Sequence, residues 1–251
     1  MLPFYCPPTG ADMPSACRRQ LAEGQRMLQK LRGLYVIIDP AVAEGPSTGL
    51  RTGPSTGLRT GRDEVRIARA ALDGGARLIQ LRDKAREKGL QLPVAEALQR
   101  LCRERGALFI VNDHVDLALA VGADGVHVGQ KDLPVSVVRR LVPPEMVIGC
   151  STNNPEEARR AEADGADYVS VGRLFPTGSK DDTRPATAET LRAVKAAVSL
   201  PVCAIGGINE ANIDEVLAAG ADMAAVIAAV IVAPDVREAA RRLAARFSNG
   251  G

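Results

Sequence analysis

Residues 109–132 read FIVNDHVDLALAVGADGVHVGQKD, and this stretch decides the fold. LFIVN (108–112) is a short β-rich run, residues 115–121 follow a helical period, and DGVHV (124–128) is β-rich again. Strand, helix and strand in such close succession imply two parallel strands joined by a right-handed crossover.

The alternation continues in both directions. Further β-rich runs are LYVIID (34–39), RLIQLR (77–82), MVIGC (146–150), DYVSVG (167–172), VCAIG (202–206) and AAVI (224–227). Helix-period segments lie near 63–74, 91–105, 134–142, 155–164, 187–198, 210–219 and 234–247. Gly ends several of these before the next strand, as in Asp73-Gly74-Gly75, Asp164-Gly165-Ala166 and Ala219-Gly220-Ala221, where it supplies a left-handed C-cap. Eight strands, each followed by a helix, predict an α/β fold closed into a single (β/α)8 TIM barrel. A doubly wound open sheet is the runner-up, but GxGxxG is absent after the first strand.

Composition agrees with a sheet buried on both faces. The 251 residues are 46% hydrophobic but only 3% aromatic, with no Trp, so Val, Ile, Leu and Ala must build the core. A net charge of +2 leaves no broad basic surface for nucleic acid or an anionic membrane. No apolar run reaches the roughly 18 residues of a membrane span. The opening MLPFYCPPTGADMP lacks a basic leader, so no secretory signal is expected. The five cysteines (Cys6, Cys17, Cys102, Cys150 and Cys203) form no CxxC pair, and a reducing cytoplasm is the simplest setting.

Two segments stand outside the barrel at 34–248. Residues 1–33 form an N-terminal extension, with disorder expected to about residue 15 and a polar helix over 17–32. GPSTGLRT at 45–52 recurs unchanged at 53–60, a Gly/Pro/Ser/Thr-rich loop insertion after strand 1 with too little apolar surface to order itself. Loop-closure entropy rises by only about 0.6 kcal/mol per doubling of length, so such a duplication costs little.

Barrel chemistry belongs at the C-terminal ends of the strands. Gln80, Arg82 and Lys84 share one face of the second strand by alternation, while Ile79 and Leu81 turn toward the helices. Three polar groups at a barrel mouth favour an anionic ligand, although Arg82 alone could equally close a salt-bridge ring. Asn112-Asp113 follows strand 3 and Asp132 lies in the loop after strand 4. Either acid could cap the following helix, but together they suit Mg2+ shared with substrate phosphate. Ser151 follows strand 5, and the loop after strand 6 reads Phe175-Pro176-Thr177-Gly178-Ser179-Lys180. Gly206-Gly207 ends strand 7 and Ile227-Ala228 ends strand 8, where many barrels bind phosphate.

QLRDK (80–84), FIVNDHVDLALAVGADGVHVGQKD (109–132), GCS (149–151), FPTGSKDD (175–182) and AIGGI (204–208) together resemble the thiamine-phosphate synthase family, over about residues 34–245. The resemblance implies thiamine biosynthesis by a soluble transferase with small-molecule substrates and no nucleic-acid or membrane partner; a homo-oligomer is left open. It implies that Gln80, Arg82, Lys84, Asn112, Ser151 and Lys180 bind an aminomethylpyrimidine diphosphate, and that Asp113 and Asp132 hold Mg2+. Thr177, Gly178, Ser179, Gly207, Ile227 and Ala228 would bind a thiazole phosphate. Pyrophosphate would leave first, giving a pyrimidine-methyl cation that the thiazole nitrogen attacks. Asp83 stands where the family more often has Glu, Asn153 where it often has His, and Ala228 where it often has Ser. The alternatives are the related thiazole tautomerase and a non-catalytic phosphate-binding barrel. His114 and His127 receive no chemical role.

Overall fold

A computed structural model of the chain describes residues 27–43, 60–176 and 184–248. Residues 1–26 of the expected extension lie outside these, as do residues 45–59 of the repeated loop.

The strands are β1 (Gly33–Ile38), β2 (Leu78–Leu81), β3 (Leu108–Asn112), β4 (Gly125–Val128), β5 (Val147–Thr152), β6 (Tyr168–Val171), β7 (Val202–Ile205) and β8 (Met223–Val226). They close in chain order into one parallel barrel, with Gly33 of β1 opposite Met223 of β8. The open sheet is excluded. Helices follow as α1 (Pro40–Ala43), α2 (Thr60–Asp73), α3 (Lys88–Arg105), α4 (Val115–Val121), α5 (Val135–Leu141), α6 (Pro155–Ala163), α7 (Ala188–Ala197), α8 (Ile213–Ala218), α9 (Ala228–Ile231) and α10 (Val236–Ala245). The expected turns occur where Gly allows them: Gly75, Gly165 and Gly220 all have φ near the left-handed side, at 100°, 95° and 94°.

Strand alternation divides the apolar residues into two cores. Val36, Ile79, Leu81, Val111, Ile148 and Val169 face outward and pack with helix residues such as Leu98, Val138, Leu191 and Leu243. Tyr35, Ile37, Leu78, Leu108, Ile110, Val147, Tyr168, Cys203 and Met223 fill the interior. Leu31 belongs to this inner core, 2% exposed, and Met27 packs beside it. The barrel's packing therefore reaches below residue 34, into the segment that sequence set apart as an extension. One short apolar turn there caps the N-terminal end.

Gly149 makes room for the largest interior side chain. A Cβ placed on it would overlap the Tyr168 ring. Gly149→Ala should therefore destabilise the barrel by about 1–3 kcal/mol or more, the usual cost of overpacking a core. Gly89, in the first turn of α3, has nothing within 4 Å of a built Cβ. Gly89→Ala should be neutral or stabilising by about 0.5–1 kcal/mol. Urea unfolding of both variants checks the pair, and equal midpoints would contradict this account of the core.

Candidate active site

The strands are short, and the residues that follow them, polar after β1 to β5 and small or apolar after β7 and β8, lie at the barrel's C-terminal end. They surround a cavity of about 970 Å³ at the C-terminal end, large for one small ligand and ample for two. Arg82 and Lys84 reach it from the segment after β2, Asn112 and Asp113 from the end of β3, and Asp132 from the loop after β4. Ser151 lines it from β5, Gly207 from the turn after β7, and Ile227 and Ala228 from the end of β8. Thr177, Gly178, Ser179 and Lys180 lie outside the described residues.

Gln80 is placed differently from the rest. It points inward as alternation requires, but it is 2% exposed and is not part of the cavity wall. Its Nε2 donates to the Tyr35 hydroxyl at 2.6 Å, one layer below the cavity.

Arg82 is bonded to Asp39, the residue after β1, through Nη1. Asp39 is itself fixed by the backbone N–H of Ala41, at 3.1 Å. Arg82 thus both closes a salt bridge and lines the cavity. A guanidinium has five N–H donors, so this pair orients Arg82 without exhausting it. Asp83 turns away from the cavity, as alternation along β2 implies. It is buried, accepts from the backbone N–H groups of Ala85 and Arg86, and pairs with the Arg86 guanidinium, which also holds Glu64.

Neither acid of the expected metal pair caps a helix. The N-cap of α4 is His114 and that of α5 is Pro134. Asp132 instead accepts from Gly129 N–H at 2.8 Å and closes the loop after β4. Asp113 has φ 62°, a left-handed conformation that Asp tolerates better than most residues. Burial raises its carboxyl pKa, and the neighbouring Asp132 raises it further, while Lys84 opposes both. The Lys84 ammonium is 3.3 Å from Asp113 Oδ2. Two acids crowded together with one exposed lysine are a site that a cation would relieve.

Gly206 and Gly207 have φ 103° and 67°. A Cβ on Gly206 would meet Arg173 Cα at 2.7 Å, and one on Gly207 would meet Pro176 O at 2.6 Å. The pair therefore lets the loop after β6 lie against the end of β7, a closeness the bare Gly-Gly did not disclose. Asn153 lines the cavity too, donating through Nδ2 to Arg184 O and Pro185 O at 3.3 and 3.2 Å, while its Oδ1 is buried without a partner.

Three participants escaped the sequence reading. Asp39 had a signal, since LYVIID ends in an acid at the level where β3 ends in Asn112-Asp113. Arg173 lines the cavity without a hydrogen bond or ion pair to another described side chain, and nothing in its local sequence marked it. His127 lines the cavity as well. Its inward position in DGVHV was legible by alternation, but its partners come from β5 and β6 and were not.

Several proteins of known name are similar to this chain. The thiamine-phosphate synthase of Methanospirillum hungatei is 46% identical over 213 residues, 84% of this chain and 96% of the relative. That of Moorella thermoacetica is 52% identical, over 72% of this chain and 87% of the relative. Among solved structures, thiamine phosphate pyrophosphorylase from Pyrococcus furiosus superposes with a TM-score of 0.75 at 40% identity, covering 89% of this chain and 98% of that one. A 3-hexulose-6-phosphate synthase at 18% identity and TM-score 0.62 shares the fold alone. The family model described as thiamine monophosphate synthase matches residues 54–230, nearly the whole run from the insertion to α9, and the chain belongs to that family.

Proposed function

We propose that this chain joins 4-amino-2-methyl-5-(diphosphooxymethyl)pyrimidine to a thiazole phosphate, giving thiamine phosphate and pyrophosphate, with CO2 also released from a carboxylated thiazole. The observation that carries the reading is the meeting of Arg82, Lys84, Asp113 and Asp132 on one cavity, in a chain of this family.

The chemical demand is stabilisation of a leaving group. The C–O bond to the diphosphate breaks with its electron pair on oxygen, leaving a pyrimidine-methyl cation stabilised by the ring amino group. The thiazole nitrogen lone pair then forms the C–N bond. Arg82, oriented by Asp39, and Lys84 would meet the growing negative charge, together with Lys180. Preorganised charge of this kind is commonly the largest catalytic contribution, because it needs no reorganisation as the bond breaks. Asn112 and Ser151 would orient the pyrimidine. Gln80, buried below, would act through the floor of the site.

Asp113 and Asp132 would hold Mg2+. Their mutual repulsion and the raised Asp113 carboxyl pKa support a cation there. Among the described residues no group of three or more His, Cys, Asp and Glu is arranged for a metal, so diphosphate oxygens and water would complete the shell, as is usual for Mg2+. When bound, the ion supplies Lewis-acid stabilisation of the departing diphosphate.

On the thiazole side, Gly207, Ile227 and Ala228 would cradle the phosphate with Thr177, Gly178 and Ser179. The N–H groups of Ala228 and Ala229, ahead of those bonded to Ile227 O, would donate to phosphate oxygens. Ala228 offers no hydroxyl to add to them. A reducing cytoplasmic setting is part of the same reading. Cys102, Cys150 and Cys203 are free and buried, and burial pushes the Cys150 thiol up to about 11, which keeps it protonated and inert.

Pyrophosphate release from the two substrates should require Mg2+, and Asp113→Asn should lower it by roughly 10²–10³-fold, the scale of losing one preorganised charge contact. Equal turnover by both proteins would refute the metal assignment, and no Mg2+-dependent release from wild type would refute the reaction. Ala228→Ser should lower the KM for thiazole phosphate by about 2- to 12-fold, the worth of one neutral hydrogen bond. An unchanged constant would count against a missing side-chain contact at position 228.

A further inference from the structure

Beneath the cavity a line of polar groups crosses the barrel interior. Gln80 Nε2 donates to Tyr35 Oη at 2.6 Å, and the Tyr35 and Tyr168 hydroxyls are 3.1 Å apart. The Tyr168 hydroxyl is 3.0 Å from His127 Nδ1, and His127 Nε2 is 2.9 Å from Ser151 Oγ. Both tyrosines and Gln80 are at most 2% exposed. The line joins β2, β1, β6, β4 and β5, and only its last members, His127 and Ser151, reach the cavity wall.

Counting protons gives this line a direction. Burial raises the pKa of both phenols, so each keeps its single proton. The amide nitrogen of Gln80 only donates, so Tyr35 accepts there and turns its own proton to Tyr168. Tyr168 accepts from Tyr35, and its proton is then left for His127 Nδ1. A nitrogen that accepts carries no proton, so the neutral ring holds its proton on Nε2 and donates it to Ser151 Oγ. A proton on Nδ1 would leave the Tyr168 hydroxyl a donor without an acceptor, deep in the core, which is unfavourable for a buried polar group.

We propose that this one-way chain holds His127 in the Nε2–H tautomer and makes the Ser151 hydroxyl a donor to an acceptor atom of the ligand in the cavity. Ser151 has then accepted from the ring, and its own proton is the only one in the line still unspent. Resting on the proposed reaction, its partner is a ring nitrogen or a diphosphate oxygen of the pyrimidine substrate, and not the exocyclic amino group, which is itself a donor. Tyr35, Tyr168 and His127 are positioning residues acting through Ser151. With the Gln80 amide reversed, every bond in the line would reverse and Ser151 would present a lone pair instead.

Two measurements test this. The chain has only 2 histidines, so nitrogen NMR of the protein labelled with ¹⁵N-histidine is simple to read, with His127→Asn or His114→Asn assigning the signals. The expected result for His127 at neutral pH is a protonated Nε2 and an unprotonated Nδ1. A protonated Nδ1, in the other tautomer or in an imidazolium, overturns the proposal. In the second, Tyr168→Phe should lower kcat/KM for the pyrimidine diphosphate by about 2- to 12-fold, one hydrogen bond's worth, and leave the KM for thiazole phosphate within about twofold. In a Ser151→Ala background the same change should cost nothing further, because residues acting through one another are non-additive. Equal losses in both backgrounds would make Tyr168 a purely structural residue and end the proposal. If Tyr168→Phe does not fold, Tyr35→Phe replaces it in the same cycle, with a smaller expected loss. Wild type without condensation activity would sink the reaction instead, while the tautomer spectrum still decides the chain's direction.

Discussion

The Tyr168 ring, packed edge-on to Tyr35 at the centre of the barrel, is the contact on which the rest depends. Eight parallel strands enclose a space only wide enough for side chains, and this protein has few large ones with which to fill it. Below the two rings the interior is aliphatic down to Leu31. Above them it opens into the cavity, polar on the β2 to β5 side and apolar toward β7 and β8. The phenol groups sit at the change, each with an apolar body toward the plug and a hydroxyl toward His127 and Gln80. Gly149 is the complement of this arrangement, because the ring of Tyr168 takes the volume its side chain would have used.

Above that layer, charge is assembled in pairs that restrain one another. Asp39 fixes Arg82 from β1, and Lys84 offsets Asp113 against the repulsion of Asp132. Such pairing matters energetically, since a buried or half-buried charge without a partner costs several kcal/mol, and a ligand alone cannot be relied on to meet it. The rim is thus oriented before a substrate arrives. It also explains why most of the polar residues singled out in the sequence converge on one cavity. Strand alternation and strand ends together leave them no other place.

The fold was legible because its signal was local and repeated. β-rich runs and helical segments alternated with capping glycines, and closure follows once there are eight of them. Arg82, Lys84, Asn112, Asp113, Asp132, Ser151, Gly207, Ile227 and Ala228 could be found for the same reason, from their places at strand ends. What escaped depends on neighbours far apart in the chain. Gln80 had the right direction but the wrong depth, because one layer of height is not encoded by alternation. His127 showed no role, because its partners are Tyr168 and Ser151, on other strands. Leu31 reads as outside the barrel, because Met27, Leu28 and Leu31 in a polar segment look like one face of a surface helix. The close approach of the β6 loop to Gly206 and Gly207 is likewise a property of two strands and of neither alone.

The seam between β1 and β8 has a consequence for how the molecule comes into being. During synthesis the first strand leaves the ribosome long before its final neighbour is made. Until then the growing sheet has two raw edges and an interior open to water, and the tyrosine layer has no closed wall around it. Pairing elements so distant along the chain is slow, and exposed strand edges invite association between partly made chains. The charged rim therefore has no enclosed floor until almost the entire polypeptide has emerged, and a product truncated before Met223 would be an open sheet with no enclosed pocket.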